Sequence, residues 1–320
     1  MVVHRANRSD ELFPEQGWRR VLFIGSKKIG LESLKVIHRI APDHLIGVVT
    51  FHDENDSRSE LLGFRQFCSD HNIPMSVAKN RLDSEQLILK YCGDLCVVVG
   101  WYWLIGNDTL DSVPGGFFAL HNSLLPAYRG AAPLVWSIIN GDDVVGFSIF
   151  KLTTRMDDGD VYFQYRHEVK QNDCVGSILK CFHEGAIDAF ETMYPQLITR
   201  TAIGEPQDHS KATYCAARKP GDGRISWNCR SQSIFNFIRA QAAPYPGAYS
   251  FIKDDQVKIW KARLFEGVYY GIPGQVVRLK GGDVVVACGH QTAIVIQELE
   301  ADGERRPASQ IVTSLATRFR

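Results

Sequence analysis

Three stretches that are apolar almost without interruption, "RRVLFIGS", "HLIGVVTF" and "DLCVVVGW", restrict this chain more than any other feature. A strand with one wet face alternates apolar and polar side chains; these do not, so both of their faces have to be covered. Segments with helical spacing lie between them. "GLESLKVIHRI" places Leu31, Leu34, Val36 and Ile37 on one stripe, "SRSELLGFRQFCSDH" opens with Ser57 and Glu60 in capping-box spacing, and "SEQLILKYC" follows. Doubly buried strands alternating with helices predict a parallel sheet sandwiched between helical layers. "GFFALH" continues the pattern as a strand, "APLVWSIING" as a helix, and "VVGFSIFKLT" with "DVYFQYRHEV" as a pair of longer strands. "CVGSILKCFHEGAIDAFETMYPQLI" is a long helix that closes the domain near residue 200.

The grammar then changes. "TAIGEPQDHSKATY" has the Gly, Pro and Ser content of a linker and no apolar period. After a short helix, "SQSIFNFIRAQ", come five short strands broken by Gly and Asp turns: "GAYSFI", "QVKIWKARLF", "GQVVRL", "DVVVACG" and "TAIVIQELE". That is the pattern of a small barrel. The expectation is therefore α/β: a Rossmann-like, mostly parallel sheet domain over 19–206, a smaller β-barrel-like (OB-like) domain over 207–320, and a tail over 1–18.

Several classes are excluded on composition. Thirty-six basic and 36 acidic residues cancel, which disfavours a protein devoted to a polyanion. The balance is uneven, however: residues 208–320 carry 16 basic and 10 acidic side chains, leaving the rest of the chain net acidic. The longest apolar run, "LCVVVGWYWLIG", is 12 residues and too short for a bilayer, and the N-terminus lacks a signal-peptide core, so no membrane partner and a cytoplasmic location are expected. Eight cysteines without a CxxC pair predict small buried side chains in a reducing compartment, with no structural metal. "GSKKIG" after the first strand lacks both GxGxxG and GK[ST], which argues against nicotinamide or nucleoside triphosphate use.

The chemistry concentrates around "FALHNSLLP", residues 118–126. His121 ends a parallel strand, the edge at which open α/β sheets place their ligands. A proline-bounded loop, "NSLLPAYRGAAP", follows it. Farther on, "TTRMDDGD" puts Asp157, Asp158 and Asp160 in one turn between two strands. A histidine acting as acid or base near neutral pH needs a carboxylate to fix its tautomer, and any of these three can supply it.

"HNSLLPAYRGAAPLVWSIINGDDVVGFSIFKLTTRMDDGDV" resembles the formyltransferases that use N10-formyltetrahydrofolate, whose signature is N-x-H-x-S-L-L-P-x-x-R-G followed by a D-x-G-D turn. "TYCAARKPGDGRISWN" and "IRAQAAPYPGAYSF" resemble the second domain shared by methionyl-tRNA and nucleotide-sugar formyltransferases. The resemblance implies that His121 is the acid/base at the attacking amine and Asp157 the aspartate that supports its protonation. It implies that Trp103, Leu104 and Ile105, Ser123, Leu124, Leu125 and Pro126, and Thr153, Thr154, Arg155, Met156 and Asp157 hold the folate. Arg129 falls in the matched loop, touching substrate or bracing the turn. N10-formyltetrahydrofolate is the implied formyl donor and no metal is implied. A nucleotide-linked amino sugar is the expected partner, nucleic acid is not, and a homodimer is allowed.

One position departs from the signature. Ala119 stands where an asparagine would share a strand face with His121 and donate to the oxyanion. Either another donor such as Asn122 or water replaces it, or the activity has changed, or the protein is inactive. Asn122 can substitute only if the chain bends directly after His121. The tRNA-specific enzymes carry a basic loop after the second strand, where this chain has "TFHDENDSRSE", with four carboxylates against Arg58. The hydrolase domain of formyltetrahydrofolate dehydrogenase, which lacks the asparagine and carries water in place of the amine, is the other alternative.

Overall fold

A computed structural model of the protein describes residues 17–54 and 56–320. Of the tail expected at 1–18, residues 1–16 lie outside these. Strand and helix alternate as β1 (Val21–Gly25), α1 (Lys27–Ile40), β2 (Leu45–Phe51), α2 (Leu61–Asp70), β3 (Met75–Ala78), α3 (Arg81–Tyr91), β4 (Leu95–Val99), α4 (Asn107–Asp111) and β5 (Phe117–His121). There follow β6 (Arg129–Gly130), α5 (Pro133–Asn140), β7 (Val144–Lys151), β8 (Val161–Glu168) and α6 (Val175–Ile198). The sheet runs β3-β2-β1-β4-β5-β7-β8. β1 to β5 are parallel and β7 is antiparallel to β5. Strand β3, only four residues long and mostly half-buried, carried too little apolar signal to be singled out beforehand.

Every residue of β1 and β4 is buried, which meets the expectation of two covered faces. On one face α1 and α2 pack down, with the Phe23 ring 6.3 Å from that of Phe64. On the other, Ile88 and Leu110 join Leu22, Ile24, Val98, Phe117 and Ala119 in one cluster. The glycines of "GSKKIG" serve this packing. A Cβ on Gly25 or Gly30 would stand 2.6 or 2.9 Å from the Val99 carbonyl oxygen, so their absence of side chain lets α1 and β1 close on β4. The capping box expected from Ser57 and Glu60 does not form: α2 begins at Leu61 and no side chain caps it. Residues 56–59 are instead drawn into a turn, Ser59 N–H donating to Asp56 O at 2.9 Å and Arg58 Nε to the Asp56 carboxylate at 2.8 Å.

The described residues form two compact units. One takes those up to Ala131 with Gly146–Arg166 and Lys180–Tyr214, and the other takes Ala132–Val145, His167–Leu179 and Cys215–Arg320. The division drawn from sequence at 206/207 counts 132–145 and 167–179 with the first domain; by packing they go with the second unit, where α5 lies against a later helix. That unit also holds the end of β9 (Tyr214–Cys215), α7 (Ser231–Ala240), β10 (Ala248–Ile252), β11 (Asp255–Leu264), β12 (Val276–Lys280), β13 (Asp283–Ala287), β14 (Ala293–Ala301), β15 (Glu304–Pro307) and α8 (Ala308–Ile311). Its antiparallel order is β10-β11-β14-β13-β12, with β15 on β14, and the five strands expected from sequence are all present.

That order leaves β10 and β12 as edges, and the last residues of the chain bond to both. Phe251 and Arg320 exchange N–H···O bonds of 3.1 and 2.9 Å, while Val276 N–H reaches Thr317 O at 3.2 Å and Phe319 N–H reaches Gly274 O at 2.8 Å. Closure of this kind removes the unpaired edges that invite strand-to-strand association. Of the eight cysteines, Cys68, Cys96 and Cys288 are buried as small core side chains, whereas Cys92 and Cys229 are exposed. Among the described residues no helix is long and apolar enough to cross a membrane.

Phe319 is 1% exposed and its ring lies 5.3 Å from that of Trp227. Phe319→Ala should therefore lower stability by about 3–5 kcal/mol. Urea unfolding should show an earlier midpoint for this variant, and little change for Leu315→Ala, whose side chain is exposed.

Candidate active site

His121 is the last residue of β5, and strand alternation puts it on the same face as Phe117 and Ala119. The latter two lie in the apolar cluster, and the imidazole meets the Phe150 ring edge-on at 6.2 Å. His121 Nε2 lies 2.9 Å from the Tyr128 carbonyl oxygen. A carbonyl only accepts, so Nε2 carries the hydrogen and the neutral ring keeps its lone pair on Nδ1. Nδ1 faces Asp157 Oδ2 at 3.7 Å, a distance suited to an ion pair and too long for a hydrogen bond. That carboxylate oxygen accepts Gly130 N–H at 2.8 Å, which fixes its position. The pair is thus arranged for a proton to arrive at Nδ1 and be held there by Asp157.

Asp157 reaches His121 because the turn after β7 doubles back. Leu152 N–H bonds Phe117 O at 2.8 Å, at the beginning of β5, and five residues later Asp157 is at its end. The return to β8 then passes so close that a Cβ on Gly159 would sit 1.9 Å from Lys151 O, which only glycine avoids. Of the three candidate carboxylates the structure brings only Asp157 to the histidine. Asp158 is buried and bound within the turn by Thr153 Oγ1 and by Arg155 Nε at 2.5 Å, and Asp160 is exposed.

Past His121 the chain bends at once, Ser123 N–H returning to His121 O at 2.8 Å. The condition for Asn122 to leave the strand's alternation is therefore met. Asn122 Oδ1 is buried without a protein partner, while Ala119 is enclosed opposite Phe150. The other expected residues are distributed unevenly. Ser123 and Leu125 are buried and internally bonded: Ser123 Oγ donates to Ala127 O at 2.6 Å, and Leu125 N–H to Ser148 Oγ at 3.0 Å. Leu124 lies over Gly146, and Pro126 follows a cis peptide bond. Trp103 and Ile105 pack into the core cluster around Phe51, whereas Leu104 is 69% exposed and Met156 53%. Thr154 and Arg155 are also exposed.

Arg129 braces the turn. It is buried, and its Nη2 and Nε donate to Gln207 Oε1 at 2.7 and 3.2 Å. Gln207 Nε2 in turn donates to the carbonyl oxygens of Asp157 and Gly159 at 2.9 and 2.7 Å. Gln207 belongs to the stretch read as a linker, and it was missed. Its segment is ordered by tertiary contacts: Val161 and Glu205 exchange backbone bonds, and Tyr128 N–H donates to Thr213 Oγ1 at 2.8 Å. Local composition holds no signal of such bonding. A cleft of about 320 Å³ is lined by Leu125, Pro126, Tyr162, Gln164, Glu205 and Gln207 among others, but not by His121 or Asp157. Among the described residues no three His, Cys, Asp or Glu side chains gather as a metal site.

Residues 39–193 match the family model for formyl transferase, and 218–315 match that for the formyl transferase C-terminal domain. The chain is 27% identical over 292 residues to a methionyl-tRNA formyltransferase of Staphylococcus epidermidis, an alignment spanning 90% of this chain and 93% of that one. Among solved structures, an N-formyltransferase from Helicobacter canadensis, in complex with folinic acid and dTDP-3-aminofucose, superposes with a TM-score of 0.65 at 17% identity, over 87% of this chain and 98% of that one. HypX from Aquifex aeolicus in complex with tetrahydrofolic acid superposes with a TM-score of 0.61 at 16% identity, over 92% of this chain; this chain spans about half of HypX, 47%.

The acidic loop after β2 differs from its expected character. Lys27 Nζ pairs with Asp53 at 2.9 Å and with Asp56 at 2.8 Å, and Arg58 also holds Asp56, so two cations meet two of the carboxylates within the fold. Tyr102 OH donates to Asp53 at 3.2 Å; burial and the neighbouring carboxylates push its pKa up to about 12. Burial pushes the Asp56 carboxyl up, but hydrogen bonds from Arg58 and Lys27 outweigh it and hold the group well below the usual carboxylate range. A depressed native value stabilises the fold above the unfolded-state pKa and loses that contribution as pH falls through the native one. Asp56→Asn should therefore destabilise by about 1 kcal/mol at pH 7, discounted for partial exposure. In denaturant titrations the difference from wild type should hold above about pH 5 and shrink below about pH 4.

Proposed function

The chain belongs to the formyl transferase family, and on that footing we propose that it moves a formyl group from N10-formyltetrahydrofolate to the amino group of a nucleotide-linked amino deoxysugar. The observation that carries this reading is the imidazole of His121, its Nε2–H committed to the Tyr128 carbonyl and its Nδ1 facing Asp157. The acceptor amine attacks the formyl carbon as the free base. Nδ1 takes the proton the amine loses, and Asp157 stabilises the resulting imidazolium. Collapse of the tetrahedral intermediate breaks the bond from the formyl carbon to N10, and Nδ1 returns the proton to N10. The products are a formamide and tetrahydrofolate, with no net proton gained or lost.

The carbonyl oxygen turns anionic on the way and needs a donor. We assign that role to the side-chain Nδ2–H of Asn122, which the bend directly after His121 releases from the strand's alternation. The donor folate is assigned to Trp103–Ile105, Ser123–Pro126 and Thr153–Asp157. The exposed side chains of Leu104 and Met156 and the buried, unpartnered Nε1 of Trp101 support that fit, since a flat heterocycle uses both apolar cover and isolated polar groups. The amino-sugar acceptor is supported by the ligand held in the Helicobacter canadensis enzyme.

Methionyl-tRNA as acceptor is the second reading, favoured by the Staphylococcus epidermidis relative and by the basic excess of residues 208–320. The internal pairing of Asp53 and Asp56 also lowers the repulsion that the loop would present to phosphate. Release of tetrahydrofolate should be measured with TDP-, UDP- and GDP-linked amino sugars, with charged initiator tRNA and with neither. Release that requires an amino sugar and depends weakly on salt is the expected outcome. Formylation of tRNA, with a steep fall in affinity as salt rises, would replace the acceptor, and release without any amine would make the protein a hydrolase.

Asp157→Asn should keep the fold and lower kcat by about two orders of magnitude, with the acid limb of the pH–rate profile displaced to lower pH. An unchanged profile would remove the carboxylate from the mechanism. Asn122→Ala should slow turnover by about 10²–10³ at nearly constant KM, because the lost donor acts on charge present only in the transition state. Ala119→Asn should leave the rate flat or lower, since an amide there crowds Phe150; a large gain in rate would show that the oxyanion position is vacant.

A further inference from the structure

Gln207 sits outside every segment to which the resemblance assigns a role, yet its hydrogen bonds converge on the catalytic turn. We propose that Gln207 is a positioning residue that holds Asp157 against His121, with Arg129 as its anchor. The inference rests on the His121–Asp157 chemistry proposed above. Gln207 is buried, and its amide is fully used: both Nε2 hydrogens go to the carbonyls of Asp157 and Gly159, and Oε1 receives two bonds from Arg129. Arg129 is buried too; its Nη2 also lies 2.9 Å from His209 Nδ1, and its Nη1 donates to Tyr214 OH at 3.4 Å.

The turn needs such a clamp for two reasons. Asp157 has φ +46°, a left-handed conformation that costs residues other than glycine some strain, though aspartate less than most. Its carboxylate is fixed from the loop side by Gly130 N–H, but its backbone is fixed by Gln207 on both flanks of Asp158. Neither bond reaches a side chain that contacts the reacting atoms. What Gln207 controls is where the Asp157 backbone stands, and through it the 3.7 Å separation from Nδ1.

The test is Gln207→Met, which keeps length and charge and removes both donors. kcat and KM are measured from pH 5 to 9 with the acceptor that supports turnover, for this variant, Asp157→Asn and the double variant. Thermal melting checks that each is folded. A positioning role predicts a 10- to 100-fold fall in kcat, little change in KM, and an acid limb moved to lower pH as in Asp157→Asn. It also predicts that Gln207→Met has no further effect in the Asp157→Asn background. If Gln207→Met does not yield folded protein, Gln207→Asn, with the same amide one methylene short, should move the limb in the same direction. A folded Gln207 variant with an unmoved limb, or effects that multiply in the double variant, overturns the role of Gln207 alone. An Asp157→Asn enzyme with wild-type rate and profile overturns the His121–Asp157 reading, and this inference with it.

Discussion

Between Leu152, bonded beside the start of β5, and Asp157, facing the histidine at its end, the chain runs back along the strand it has just left. At roughly 3.3 Å per residue, the few residues available are close to the number needed, so the turn has little slack. The acidic side of the site follows from this fold-back. It delivers one carboxylate of three to His121, commits Asp158 to holding the turn together, and requires glycine at 159 where the returning chain meets Lys151 O. The histidine is constrained independently, through the Tyr128 carbonyl, so the two partners come from separate segments and meet only when both are in place.

The sheet supplies the other half of the geometry. With β1 and β4 covered on both faces, the strand ends at their carboxyl edge cannot shift without disturbing a filled core. Ser26, Gly100 and the Trp101–Trp103 segment lie at that edge, where Phe51 gathers three aromatic rings within about 5 Å. The same edge carries the Lys27–Asp53–Asp56–Arg58 network, in which two cations meet two of the loop's four carboxylates. A run of acidic letters is therefore an incomplete guide to field when a lysine from another element can reach it.

Short-range patterns translated well. Periodicity located all of the longer helices, the two strands that pair after His121 and the five strands of the small sheet, because burial of apolar faces is written into each segment. The capping box expected from Ser57 and Glu60 does not form because residues 56–59 close a turn around Asp56, itself held by Lys27 and Arg58, and α2 begins only at Leu61. Gln207 was missed because a polar residue in a Gly- and Pro-rich stretch reads as solvent-facing until Arg129 and two carbonyls surround it.

By itself the sequence determined that the chain builds a doubly covered sheet followed by a small antiparallel barrel, that His121 ends a central strand, and that Ala119 leaves its face without an amide. These follow from side-chain type and period, which are local properties. Only the tertiary structure decided which of Asp157, Asp158 and Asp160 faces the histidine, which ring nitrogen is free, that the chain bends to release Asn122, and that Arg129 braces the turn. Each of those depends on a contact between segments far apart in the chain, and no property of either segment alone specifies the distance at which they meet.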